Sequence, residues 1–168
     1  MRIHLAIILF LPLAFAGCNP IDTAISDLPN CEDGILNNGE REIDCGGKNC
    51  NPCAARMTAE IDGAAWRLFG PNITSQINGN SIFISGMDSL FRSISLIHTG
   101  DFTPGNYPLA GGLFSAGSYT YTASSGSINI TVWDTTERYI SGYFSFKAFS
   151  GSGDSVTVSN GNFSFSPY

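Results

Sequence analysis

Cys31, Cys45, Cys50 and Cys53 lie within twenty-three residues, the densest set of chemistry-bearing side chains in the sequence. The Cys50-x-x-Cys53 spacing suits a metal pair, a redox pair or half of a disulfide framework. A structural zinc site draws its four ligands from two closely spaced pairs, and the second pair is missing. A redox pair needs a strand-helix context that the flanking Gly, Asn and Pro do not provide. Residues 31–53 also hold few large apolar side chains and cannot fold on a hydrophobic core alone. Two disulfides are therefore expected, with all three pairings open. The same loop carries Asp33, Asn37, Glu40 and Asp44, hard oxygen donors of the kind calcium takes, although their spacing is not that of an EF-hand. The competing expectation is that Asp33-Gly34 and Asn38-Gly39 form turns and the remaining acids are solvated.

Residues 54–168 offer less chemistry. Of their seven acids, Asp62, Asp88, Asp101, Asp134 and Asp154 stand at turn or loop signals, which leaves Glu60 and Glu137. Glu60 and Asp62 have same-face strand spacing, as a glycosidase pair would need, but Asp62-Gly63 already reads as a turn. His98 is the single histidine after His4, so a multi-histidine metal site is excluded, and no Gly-x-Ser-x-Gly elbow accompanies it. His98 continues the apolar face of Ile94 and Leu96 and reads as a strand-end residue. Gly111-Gly112 lacks the Lys and following helix of a phosphate loop. Trp66, Tyr119, Tyr121 and Tyr143, with Trp133 and Tyr139, are the candidates for an exposed aromatic shelf on which a sugar or peptide could stack. The alternative is that the rings pair across strands and brace the sheet.

These residues must be delivered and positioned. Arg2 precedes an apolar run to Ala16, the charge and length of a signal peptide and too short to span a bilayer. Phe15-Ala16-Gly17-Cys18 resembles the lipobox of bacterial lipoproteins. The resemblance implies cleavage after residue 17 and acyl chains on Cys18 that anchor the protein to a membrane, placing it in the bacterial cell envelope. Residues 18–30 read as a tether. Residues 31–53 resemble a short cysteine-rich motif of bacterial surface proteins through Asp33-Gly34, Gly39-Glu40 and Asp44-Cys45-Gly46-Gly47.

The remaining composition selects the scaffold. Nineteen Gly and 13% charged residues are poor material for helices and suit short strands joined by tight turns. A net charge of −6 without any basic cluster argues against a nucleic-acid partner. From residue 54 onward, turn signals recur at strand spacing, including Asp62-Gly63 and Asn78-Gly79, both with type I′ chemistry. Residues 100–117 read as a long Gly/Pro passage, and Asn160-Gly161 as a turn between two short final strands. In 139–149, Ile140, Gly142, Phe144, Phe146 and Ala148 alternate with Ser141, Tyr143, Ser145 and Lys147, so one face is core and the other wet. Ile128, Ile130, Val132, Val156, Val158, Phe163 and Phe165 extend the apolar layer. The expected fold is all-β, an antiparallel meander of about eight or nine strands forming a β-sandwich or flattened β-barrel, with a small disulfide-rich knob at residues 31–53.

The marks Ala59-Glu60-Ile61-Asp62-Gly63-x-x-Trp66, Ile82-Phe83-Ile84-Ser85-Gly86, Gly105-x-Tyr107-x-Leu109, Ile140-Ser141-Gly142-x-Phe144-x-Phe146-x-Ala148 and Val158-Ser159-Asn160-Gly161-x-Phe163 resemble an uncharacterised β-rich domain family of Bacteroidetes-type lipoproteins. The resemblance implies a scaffold and a location, with no activity and no cofactor. The expected role is a lipid-anchored, non-enzymatic surface module for binding or adhesion, with a glycan, peptide or envelope protein as partner. Two alternatives stand beside it. One is a lipocalin-like carrier with Ile130, Phe144, Phe146 and Val158 lining its pocket. The other is an envelope hydrolase, requiring Glu60, Glu137 or His98 to converge.

Overall fold

The computed structural model describes residues 31–37 and 39–168, so the expected signal peptide, Cys18 and the tether lie outside the described residues. The chain divides into two compact units between Pro52 and Cys53. In the N-terminal region, Cys31 is bridged to Cys50, and Cys45 to Cys53. Short backbone contacts shape the loops, among them Glu40 N–H to Asn37 O and Gly46 N–H to Asn51 O at 2.9 and 2.6 Å. Gly47, at φ +73°, lies so close to the Gly39 carbonyl that any side chain there would collide with backbone.

The second unit is one antiparallel sheet of ten strands curved into a half-barrel, with no helix. Its strands are β1 (Arg56–Ile61), β2 (Ala64–Phe69), β3 (Ile73–Asn78), β4 (Ser81–Met87), β5 (Arg92–Thr99), β6 (Gly105–Pro108), β7 (Gly111–Ala116), β8 (Tyr119–Asp134), β9 (Tyr139–Ser150) and β10 (Ser155–Pro167). The order across the sheet is β2-β1-β10-β9-β8-β7-β5-β4-β3, with β6 paired to β8 beyond the end of β7. Pairing of β1 with β10 joins the two ends of the unit and interrupts the simple meander.

The alternation within β9 behaves as its sequence dictates. Ile140, Gly142, Phe144, Phe146 and Ala148 are buried, while Tyr143, Ser145 and Lys147 are exposed. The curl of the sheet brings β3 against β10, where Ser75 and Ser166 share a buried hydroxyl hydrogen bond of 2.6 Å. It also packs Leu68 of β2 and Met57 of β1 over Gly86 of β4, so a single core fills the concave side. Two core-facing glycines permit this curvature. A Cβ on Gly142 would lie 2.7 Å from the Phe163 ring and nearer still to the Asn129 carbonyl. One on Gly161 would lie 2.6 Å from Phe144. Each gap is roofed by an aromatic ring, which restores the packing that a strand glycine forfeits.

Several expectations from sequence are corrected. Residues 100–117 contain β6 and β7, because Gly111 and Gly112 make ladder hydrogen bonds without needing side chains. Asn160-Gly161 is not a hairpin turn. Asn160 takes φ +50° inside a bulge, and β10 continues along β9 on both sides of it. A second irregularity puts Phe165 at φ +52° and turns Ser166, instead of Phe165, into the core. The β3–β4 hairpin closes through Gly79-Asn80 with positive φ at Gly79 alone, a type II′ pattern, whereas Asp62-Gly63 has the two positive φ values of type I′.

Candidate functional site

Most polar groups singled out from the sequence hold backbone in place. In the first unit, Asp44 accepts the Gly34 amide at 2.9 and 3.1 Å, and Asp33 accepts the Ile35 amide and the Asn37 side-chain amide, each at 2.8 Å. Glu40 accepts the Asn37 and Asp44 amides at 3.2 and 3.3 Å. The proposed calcium ligands Asp33, Asn37, Glu40 and Asp44 are thus accounted for by loop closure, since a carboxylate that accepts backbone N–H groups replaces the missing ladder partners. Glu40 also lies beside Cys31 and Cys50, and Glu42 beside Cys45 and Cys53, but disulfide sulfurs are not the thiolates a metal takes.

In the second unit, Glu60 accepts the Asn160 side-chain amide at 2.9 Å, and Asp62 accepts the Thr157 backbone amide at 2.8 Å, so both acids pin β1 to β10. Asp134 accepts the Thr136 and Glu137 amides at 2.9 and 2.8 Å in the β8–β9 turn. His98 is buried, donates from Nε2 to the Asp101 carbonyl at 2.9 Å, and has no partner for Nδ1. Its ring packs on Tyr107 at 4.5 Å and on Phe102 at 6.1 Å. Phe102 stacks on Trp133, which stacks on Tyr168 at 4.4 Å. Burial raises the Tyr168 hydroxyl pKa, reinforced by the Asp134 charge and opposed by Arg138. His98 is therefore the end of an aromatic stack, and Glu60 is held by its bond to Asn160 between β1 and β10.

The carrier residues are likewise occupied. Ile130, Phe144, Phe146 and Val158 belong to the packed core, with exposures of 1, 4, 3 and 0%.

The aromatic shelf comes apart on inspection. Trp66 is fully buried with an unpartnered indole N–H, so it presents no ring to a ligand. Tyr121 packs against the core, 6.0 Å from the Phe114 ring, and Tyr119 precedes it by two residues on that same face. Tyr139 is buried and Trp133 is held in the stack just described. Tyr143 alone of the candidates stands on the outer face of β9, where 56% of it is exposed.

Around Tyr143 the register places Asn129 of β8 directly opposite on one side and Asn162 of β10 on the other. With Ser127, Ser145, Asn160 and the Gly161 backbone they line an open depression of about 410 Å³. Among the described residues no ring, cation or hydrogen-bond partner engages the Tyr143 side chain. The Asn129 side-chain amide is also without a partner among the described residues. Asn162 is fixed, donating to the Gly142 carbonyl at 3.3 Å and accepting from Ser164 at 2.9 Å. This asparagine set was missed from sequence. Its signal was Asn129 sandwiched between Ile128 and Ile130, an outward amide on a strand whose alternate positions are core.

The turn expected at Asp88 is present, and what it holds and displays was missed. In the β4–β5 turn, Asp88 accepts the Leu90 and Arg92 amides at 2.9 Å each and the Arg92 guanidinium at 2.7 and 2.8 Å. Burial pushes the Asp88 carboxyl up, but these donors outweigh it and hold the pKa below the usual value. The turn displays Leu90 and Phe91, 68 and 73% exposed, with Phe91 at φ +57°.

A family model described as a domain of unknown function (DUF6252) matches residues 54–167. No curated protein and no solved structure matches the chain.

Proposed function

The chain belongs to the DUF6252 family, a domain of unknown function, and from that premise we propose that it is a lipid-anchored protein of the bacterial cell envelope that serves as a non-enzymatic binding or adhesion module. One observation carries the binding half of this reading. Glu60, Asp62 and His98 are engaged in holding strands and packing rings, while the unpartnered Tyr143 ring and Asn129 amide lie side by side on the outer face of β8 and β9. Groups left free on a rigid sheet surface recognise ligands; groups already hydrogen-bonded to backbone are poorly placed to move protons.

The anchor half rests on the lipobox-like Phe15-Ala16-Gly17-Cys18 and on cysteine arithmetic. Four of the five cysteines are bridged to one another, which leaves Cys18 as the fifth. Two or three acyl chains would hold the mature protein on a membrane, because each buried methylene contributes ~0.8 kcal/mol. With Cys18 intact, the protein should remain in the membrane pellet after a carbonate wash, and Cys18→Ser should release it to the soluble fraction. Retention of the variant in the pellet would contradict the anchor. The fluorescently labelled Cys18→Ser chain should bind intact bacterial cells saturably, and non-saturable retention would contradict the binding module.

A further inference from the structure

We propose that the depression centred on Tyr143 is a binding site for a neutral polysaccharide chain, which rests on the binding reading above and gives it a ligand class. Three properties of the site select that chemistry. The first is a free aromatic face. Tyr143 is over half exposed and its strand neighbours on that face are amides, so one ring surface is available for the apolar C–H face of a sugar. The second is the kind of hydrogen bonding on offer. A carboxamide carries both donors and acceptors, and so does every sugar hydroxyl; Asn129 and Asn162 flank the ring on opposite sides, where hydroxyls at the edges of a stacked sugar would project.

The third property is the absence of charge. Every side chain lining the depression is neutral: Ser127, Asn129, Tyr143, Ser145, Asn160 and Asn162, with Phe144 beneath. The nearest carboxylate contact, Glu60 to Asn160, orients that amide and is itself engaged. At the depression itself an acidic glycan or a charged peptide would find no counter-ion, Arg67 standing away from it at the β2 end of the same face, and burying part of its charge without one is unfavourable.

The shape of the surface points to a polymer. Sites for small molecules are concave and enclose most of the ligand, whereas this depression is shallow and open. It continues as a row of residues paired directly across the sheet: Asn106, Asn129, Tyr143, Asn162, Thr58 and Arg67, contributed by β6, β8, β9, β10, β1 and β2. At the usual strand separation, six strands give a track about 24 Å long. Residues paired in this way share one face, so the row is a continuous strip of hydrogen-bonding groups with Tyr143 near its middle. A single sugar would touch little of it, and an extended chain would touch most.

The test uses the full chain with Cys18→Ser, labelled with ¹⁵N and titrated separately with cellohexaose, mannohexaose and chitohexaose while its amide spectrum is recorded. Saturable shifts at the side-chain amides of Asn129 and Asn162 with at least one oligosaccharide are expected. Tyr143→Ala should weaken that binding at least tenfold with an otherwise native spectrum, and Tyr143→Phe should weaken it less than threefold, since stacking is retained. Tyr119→Ala, which removes an exposed ring from the other face, should leave it unchanged. No saturable response to any of the three sugars overturns the proposal, as does equal loss from Tyr119→Ala and Tyr143→Ala. If the sugars fail while the labelled chain still binds cells saturably, the binding module stands and its ligand is not a neutral glycan.

Discussion

The knob at residues 31–53 and the sheet that follows solve the same problem, satisfying backbone polar groups, by opposite means. In the knob, Ile35, Leu36 and Ile43 are 56 to 60% exposed, so little apolar burial is available. Covalent bridges restrict the chain, and Asp33, Glu40 and Asp44 supply the acceptors for stray amides. In the sheet, ladders satisfy the amides and one apolar core fills the concave side. A sheet built in this way asks little of its outer side chains, Asp62 and Asn162 being two that do hold backbone. The contrast teaches where function can reside: polar groups in the knob are structural because the backbone needs them, whereas Tyr143 and Asn129 are available because the backbone does not.

Reduction should separate the two regions most sharply. Loss of a native disulfide in a small segment typically costs ~2–5 kcal/mol, more than the exposed apolar residues of the knob can offset. In dithiothreitol, amides of residues 31–52 should lose their protection from hydrogen exchange while those of β8, β9 and β10 keep theirs. Simultaneous loss in both regions would break the comparison.

Steric changes at the glycine gaps should come next. Gly142→Ala places a methyl group against the Asn129 carbonyl and 2.7 Å from Phe163, and overpacking of this kind should destabilise the sheet by roughly 2–3 kcal/mol in denaturant unfolding. Gly151→Ala has no atom within 4 Å of the new Cβ and should change stability by less than about 0.5 kcal/mol.

A smaller effect than the Gly142 change belongs to a loop of the sheet that borrows the knob's device, as the β8–β9 turn also does through Asp134. Asp88→Ala removes the acceptor for two amides and the Arg92 guanidinium, a loss of about 1–2 kcal/mol at neutral pH. The folded pKa of Asp88 lies below its ordinary value. The stabilisation is therefore fully present above the unfolded carboxylate pKa and disappears as pH falls through the lower folded value. The gap between wild type and Asp88→Ala in acid titrations of stability should narrow as pH drops below about 4. A gap that widened with acid would reverse the assignment.

Legibility followed the same division. The two faces of β9 could be read because period-two alternation survives wherever only one side is buried. β10 could not, because Asn160-Gly161 has the composition of a hairpin turn and only its partner strand reveals that pairing runs through it. β7 was hidden in a Gly-rich passage because ladder hydrogen bonds belong to the backbone and leave no trace in Gly111 or Gly112. At the candidate site, Tyr143 was visible from its alternation, while its asparagine neighbours were not, since Asn129 and Asn162 meet it only through register. Trp66 was misread as a ligand platform. Its burial arises from the curl of the sheet, a long-range property that local spacing does not encode.

The central claim is that the sheet has one closed face and one face open for recognition, and adjacent residues on β9 test it most directly. In the full chain, Phe144→Asp and Tyr143→Asp introduce the same charge one residue apart, at positions 4 and 56% exposed. Measured by urea unfolding, Phe144→Asp should lose about 4 kcal/mol or fail to fold, because it buries an unpaired carboxylate. Tyr143→Asp should lose less than about 1 kcal/mol and retain the native ¹⁵N amide spectrum. Comparable destabilisation by both, or greater damage from Tyr143→Asp, would contradict the assignment of an outer face free for binding.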